Sequence, residues 1–186
     1  TFHPADPEFD HIKWELPVEV SEDRGRSWKT IARIAAQAPF NIETFHEPHL
    51  VECADGRIVV QFRCMLNNCQ VPQVESKDGG YTWGPVFYTE IHGYPPHFLR
   101  LRNGKILNSF AWRGAPAESE RVVVSDDDGR TWDVAREIWL CRNCNWDMGY
   151  PSTVELADGT LLTLYYQIDV PGESTCLMAT KWRLTK

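Results

Sequence analysis

Apolar residues in this chain come in paired runs, each pair split by a two-residue polar break. HEPHLVECADGRIVVQFR spans 46–63, GYPPHFLRLRNGKILNSFAWR spans 93–113 and GYPSTVELADGTLLTLYYQ spans 149–167. The breaks are Asp55-Gly56, Asn103-Gly104 and Asp158-Gly159. Such a dipeptide between apolar runs is the strongest short-range signal for a β-hairpin. Each stretch is therefore expected to be a strand, a tight turn and a second strand.

A second repeated unit alternates with the hairpins. SEDRGRSW occupies 21–28, SKDGGYTW 76–83 and SDDDGRTW 125–132, all obeying S-x-D-x-G-x-[S/T]-W. The first and second copies start 55 residues apart, the second and third 49. Self-similarity at this period marks a repeat architecture. The pattern describes a turn between strands. Gly25, Gly80 and Gly129 permit positive φ, and Asp23, Asp78 and Asp127 can accept backbone N–H groups within the turn. The hydroxyls of Ser27, Thr82 and Thr131 can tie the same loop, and each Trp is expected to bury its ring.

Residues 1–10 read as an irregular lead-in. HIKWELPVEV (11–20) and KTIARIAA (29–36) read as strands around the first turn; the latter has the composition of a helix, but the turn before it favours a strand. Residues 37–44 form a connection. Turns and hairpins in strict alternation give two complete four-strand units, 46–92 and 94–140. Partial units lie at 11–36 and 150–186. No periodic helix or low-complexity linker is evident, and one domain is expected.

With 186 residues the chain can bury a real core. Eight Trp, eight Phe and six Tyr suit a β-rich protein. A formal net charge of −7 argues against nucleic acid or an anionic membrane surface as partner. No apolar run reaches about 18 residues, so no transmembrane helix is expected. The opening TFHPADPEFD has no apolar core of the kind a signal peptide needs. Of six cysteines, Cys64/Cys69 and Cys141/Cys144 form close pairs, C-x4-C and C-x2-C. That combination is not a standard zinc finger; free thiols or a local disulfide are the alternative. No metal and no cofactor are expected.

The three turns resemble the Asp-box (BNR) repeats of sialidases and related β-propellers. In that family the box joins the third and fourth strands of a blade, on the face away from the active site. The resemblance covers about residues 11–186 and implies an all-β, Asp-box β-propeller segment of about three blades, the C-terminal portion of a six-bladed propeller. The opposite face holds the starts of first strands, the ends of second strands and the loops after them. Candidates there are Glu43, His46, Glu47, His49, Arg63, His92, Tyr94, His97, Arg113, Glu118, Arg121, Asp147, Tyr150, Tyr165 and Tyr166.

Sialidases hold a sugar carboxylate with three arginines, use a Tyr paired with a Glu as nucleophile, and an Asp as acid/base. A neutral phenol meets an anionic substrate without repulsion, and the Glu draws off its proton. An arginine fork binds both carboxylate oxygens. By resemblance, Tyr150 is the nucleophile, Glu47 its partner and Arg63 one arginine of the clamp; Arg113 or Arg121 fits the third. Tyr94 and His97 are expected to help bind substrate. GYPP at 93–96 and GYPS at 149–152 share one repeat signature, which also allows Tyr150 to open a strand for structural reasons alone. No segment like the family's R-I-P motif exists, so its first arginine and acid/base Asp have no counterpart. Two readings follow: a sialidase-type glycoside hydrolase, incomplete as an enzyme in this chain, or a non-catalytic carbohydrate-binding or assembly module. Propellers close with typically four to eight blades. The chain is therefore expected either to pair as a homodimer approximating a six-blade ring or to be part of a longer chain.

Overall fold

Alternating burial around glycine-containing turns produces antiparallel strands, and these sort into separate sheets. The computed structural model describes residues 16–35, 40–41, 44–142 and 145–184. The lead-in, Glu43 and Cys144 lie outside the described residues. Strands β1 (Leu16–Val20) and β2 (Lys29–Ile34) form a two-stranded sheet. Strands β3 (His46–Glu52), β4 (Ile58–Arg63), β5 (Gln70–Ser76) and β6 (Phe87–His92) form a four-stranded meander. A second meander contains β7 (Tyr94–Arg100), β8 (Ile106–Trp112), β9 (Ser119–Ser125) and β10 (Ile138–Arg142). The last sheet has β11 (Gly149–Glu155), β12 (Leu161–Gln167) and β13 (Cys176–Trp182). These sheets are the blades of a β-propeller segment, about three blades in all. Among the described residues no helix is long and apolar enough to cross a membrane.

The three boxes join β1 to β2, β5 to β6 and β9 to β10. In the third, Asp127 Oδ1 accepts the N–H groups of Arg130 (3.1 Å) and Thr131 (2.9 Å), and Oδ2 accepts the Thr131 hydroxyl (2.7 Å). Ser125 Oγ donates to Asp127 and accepts from the Gly129 N–H, with Gly129 at φ 74°. The acidic groups are thus consumed by the turn. The same bonds, led by the Ser27 hydroxyl, hold the Asp23 carboxyl down at about 2.

Neighbouring sheets pack face to face. Ile34, Val60, Phe62 and Val74 bury against Leu16, Val18 and Trp83 between the first two sheets. Val51, Val59, Phe98, Phe110 and Trp132 fill the next interface, and Leu101, Leu107, Val122 and Leu161 the last. A buried polar chain crosses the middle interface: Asn108 donates to Gln61 (2.6 Å), Gln61 to Gln73 (2.8 Å) and Gln73 to the Gly129 carbonyl (2.9 Å). Such a chain fixes the mutual register of two sheets, because every break strands a buried amide.

One expectation about the boxes is corrected. Trp132 is buried, but Trp28 is 61% exposed. Trp132 and the half-buried Trp83 join the core shared with the sheet before their own; Trp83 packs with Leu16 and Val18, Trp132 with Val51 and Val59. The first box has no described sheet before it.

Candidate functional site

The edge strands β3, β7 and β11 run side by side. Each opens with the same irregularity. His46 pairs with Arg63 but His49 with Gln61; Tyr94 pairs with Ala111 but His97 with Ser109; Gly149 pairs with Tyr166 but Ser152 with Leu164. One extra residue stands in each first strand, a β-bulge of the kind that re-aims a side chain beside an active site. The bulged residues are Glu47-Pro48, Pro95-Pro96 and Tyr150-Pro151. Proline fits there because the ladder needs no donor. Glu47 and Tyr150 occupy equivalent positions, and both have positive φ, 46° and 55°. Left-handed backbone is uncommon for residues with a Cβ and persists where surrounding structure imposes it.

This geometry brings five of the sequence candidates together. The Tyr150 hydroxyl donates to Glu47 Oε1 at 2.5 Å across 103 residues of chain. Arg63, at the end of β4, reaches the same carboxylate, with Nη1 at 3.1 Å from Oε1 and 3.3 Å from Oε2. The Arg113 guanidinium, just past β8, lies 5.7 Å from the Tyr150 ring centre and 5.1 Å from that of Tyr94. The Arg63 guanidinium stands 4.5 Å over the same Tyr94 ring. Tyr94 is thus a buried platform beneath two guanidinium groups, an aromatic face meeting cations. Gly149 makes room for Arg113: a Cβ on it would fall 2.7 Å from Arg113 Nη2. Beside Tyr150, at 6.0 Å between rings, Tyr166 donates to Asp147 at 3.0 Å.

Charge sets the state of the phenol. Accepting the Tyr150 proton, Glu47 holds that phenol above its ordinary value, with burial adding to the effect and Arg63 and Arg113 opposing it. Tyr150 is therefore neutral near pH 7, half exposed, and hydrogen-bonded to a base.

Other candidates fall elsewhere. Arg121 does not join the group: Nη1 pairs with Glu137 at 2.8 Å, and its guanidinium stacks on Trp139 at 4.3 Å. Adjacent strand residues face opposite ways. Ala111, two residues before Arg113, is cross-strand from Glu120, whereas Arg121 is cross-strand from Phe110 in the core toward β3–β6. His97 is packed against His49, with rings 4.5 Å apart. Burial and the neighbouring His49 press it down to about 4, so it is neutral at pH 7. His92 Nδ1 bonds the Asn68 carbonyl at 2.8 Å, and Tyr165 is core. Among the described residues Cys53, Cys64, Cys69, Cys141 and Cys176 are free thiols, and no group of three His, Cys, Asp or Glu side chains could hold a metal ion.

Glu120 is the residue the sequence did not single out. It is fully buried on β9, facing the Arg113 side. The alternation of SERVVVS was the available signal, since Glu120 and Arg121 must point to opposite faces.

Comparison with known proteins identifies the family and the fold. Residues 2–163 match the family model described as BNR repeat-like domain. A sialidase of Micromonospora viridifaciens is 27% identical over an aligned stretch of 164 residues that covers 78% of this chain and 22% of that protein. A protein of unknown function from Dyadobacter fermentans superposes with a TM-score of 0.79 at 26% identity, covering 91% of this chain and 45% of that one. An α-L-arabinanase of Penicillium chrysogenum, solved with arabinobiose, superposes at 0.65 with 13% identity, covering 92% and 51%. The chain thus spans about half the length of these solved structures and under a quarter of the sialidase.

Proposed function

Because the chain belongs to the BNR repeat-like domain family, we propose that the Glu47–Tyr150–Arg63–Arg113 group is one part of a sialidase-like site for an acidic sugar. The observation that carries this reading is the 2.5 Å hydrogen bond from Tyr150 to Glu47. It joins two bulged, positive-φ residues that stand in different sheets. In this reading Tyr150 Oη attacks the anomeric carbon while its proton passes to Glu47. The leaving oxygen departs with a proton from an acid; the conjugate base of that acid then takes a proton from water, which attacks the anomeric carbon as the Tyr150–carbon bond breaks and Glu47 returns its proton to Tyr150. Arg63 and Arg113 meet the substrate's carboxylate, and Tyr94 holds both guanidinium groups in place.

The family's first arginine and acid/base Asp find no counterpart in these 186 residues, so in this reading the chain supplies the Glu–Tyr pair and two of the three arginines. The second reading is a non-catalytic carbohydrate-binding or assembly module. The Arg63–Glu47 ion pair favours it, because a guanidinium already paired is less available to a ligand. A fluorogenic sialoside assay with Tyr150→Phe as control separates the two. Turnover that disappears in the variant establishes the enzyme, and saturable binding without turnover establishes the module. In this reading the open faces of the outer sheets are covered either by a second copy of the chain, giving a six-blade ring, or by further blades of a longer chain.

A further inference from the structure

Glu120 and Arg113 are two ionisable groups held together behind the site with no direct bond between them. Both Glu120 carboxyl oxygens are buried without a hydrogen-bond partner, and so are Arg113 Nε and Nη2. Glu120 is cross-strand from Ala111 on β8 and Cys141 on β10, which turns its side chain into the interface with β11–β13. Arg113 faces it from the end of β8, Cys141 from β10 and Tyr165 from β12. The thiol already contacts Gln167 and the phenol Thr180. Arg113 in turn meets Tyr150 and Tyr166 on its outer side. Among these described neighbours, Arg113 carries the one full positive charge.

We propose that Glu120 is a positioning residue for Arg113: as a neutral carboxyl it leaves the guanidinium free to meet an anionic ligand, and as a carboxylate it draws that guanidinium inward and cancels its charge. The proposal rests on Arg113 being part of an acidic-sugar site. Burial favours the neutral acid strongly, and Arg113 opposes this; the balance puts the Glu120 carboxyl at about 8. The device therefore operates at mildly alkaline pH. An ionised Glu120 would also set a negative charge behind the ligand's own carboxylate.

Two measurements test it. The first is a carboxyl-carbon NMR titration of Glu120 in the wild-type chain and in Arg113→Gln. Loss of the guanidinium should raise the Glu120 midpoint by about one pH unit; an unchanged midpoint overturns the coupling. The second is the affinity for N-acetylneuraminic acid between pH 6 and pH 9 in wild type and Glu120→Gln. The wild type should weaken about tenfold more than the variant across that range; equal weakening overturns the proposal. Absence of binding by both proteins at every pH overturns the acidic-sugar reading, and the coupling then stands or falls on the NMR midpoint, which needs no ligand and no change at Glu120.

Discussion

Tyr150 and Glu47 occupy the same bulge position in two different sheets, and their side chains meet at 2.5 Å. Repetition of one irregularity therefore delivers a phenol and a carboxylate to one point. If the pair is catalytic, Tyr150→Phe should abolish turnover of an aryl sialoside, by at least about 10³-fold. Folding should hardly change. The hydroxyl lies at a half-exposed site, and Glu47 keeps Arg63, so the cost should be within about 1 kcal/mol. Initial rates and urea midpoints on the same two proteins check both halves.

Arg113 and Arg121 are expected to give opposite phenotypes. Arg113→Ala should weaken binding of N-acetylneuraminic acid by about tenfold or more, as expected for loss of a charge-assisted contact. Arg121→Ala should leave that affinity unchanged and destabilise the chain by about 2 kcal/mol. It strips Glu137 of its largely buried partner and two Trp faces of their cation. Calorimetric binding and chemical denaturation of both variants distinguish the roles; reversed phenotypes would move the site to Arg121.

What the sequence made legible divides along a physical line. The boxes and hairpins are local chemistry: a glycine, an acid and a hydroxyl at fixed spacing determine a turn whatever lies around it. Their strands followed, including β2, whose helix-like composition lost to the turn before it. Glu47, Arg63 and Tyr150 were reached through resemblance. The bulges that aim two of them are invisible in composition, because Glu47-Pro48 and Tyr150-Pro151 look like ordinary strand openings. Arg113 and Arg121 could not be ranked without strand parity, and parity depends on where β8 and β9 pair. Glu120 was passed over because burial is a property of the packed sheets. Trp28 was misjudged for the same reason, since a box Trp buries itself against another sheet.

Stability should depend on pH through Glu120. Its carboxyl rises from an ordinary value of 4.5 to about 8 in the folded chain, so the native state holds a proton that the unfolded state has released. The sign follows: this contribution is full below about pH 4.5, falls as pH rises, and is lost beyond about pH 8, with a slope of at most about 1.4 kcal/mol per pH unit. Glu120→Gln cannot release that proton, so its stability should fall less over the same range. Urea midpoints at pH 5, 6.5 and 8 make the comparison, and parallel curves for the two proteins would show that Glu120 is not the group responsible.

The exposed apolar residues argue for self-association. On the β11–β13 sheet Val154, Leu164 and Leu177 are 49%, 52% and 86% exposed, and the strand register sets all three on one face. At the other end of the arc Leu50 is 59% exposed although its cross-strand partner Val60 is buried. The two-stranded first sheet covers Val60 and stops short of Leu50. The β11–β13 face thus presents the kind of surface that the inner blade interfaces bury, and Leu50 adds one uncovered apolar position at the other end. Contiguous apolar faces of this sort mark association sites, and burial contributes about 25 cal/mol per Å2 before the costs of association. A two-fold pairing would cover both ends at once and leave no open face, as closed symmetry requires. Light scattering should therefore report twice the 21.4 kDa chain mass. Leu164→Glu should return the monomer with its fold intact, because the position is half exposed in the single chain yet would bury an unpaired charge in the ring. A wild-type species at the monomer mass would refute the pairing.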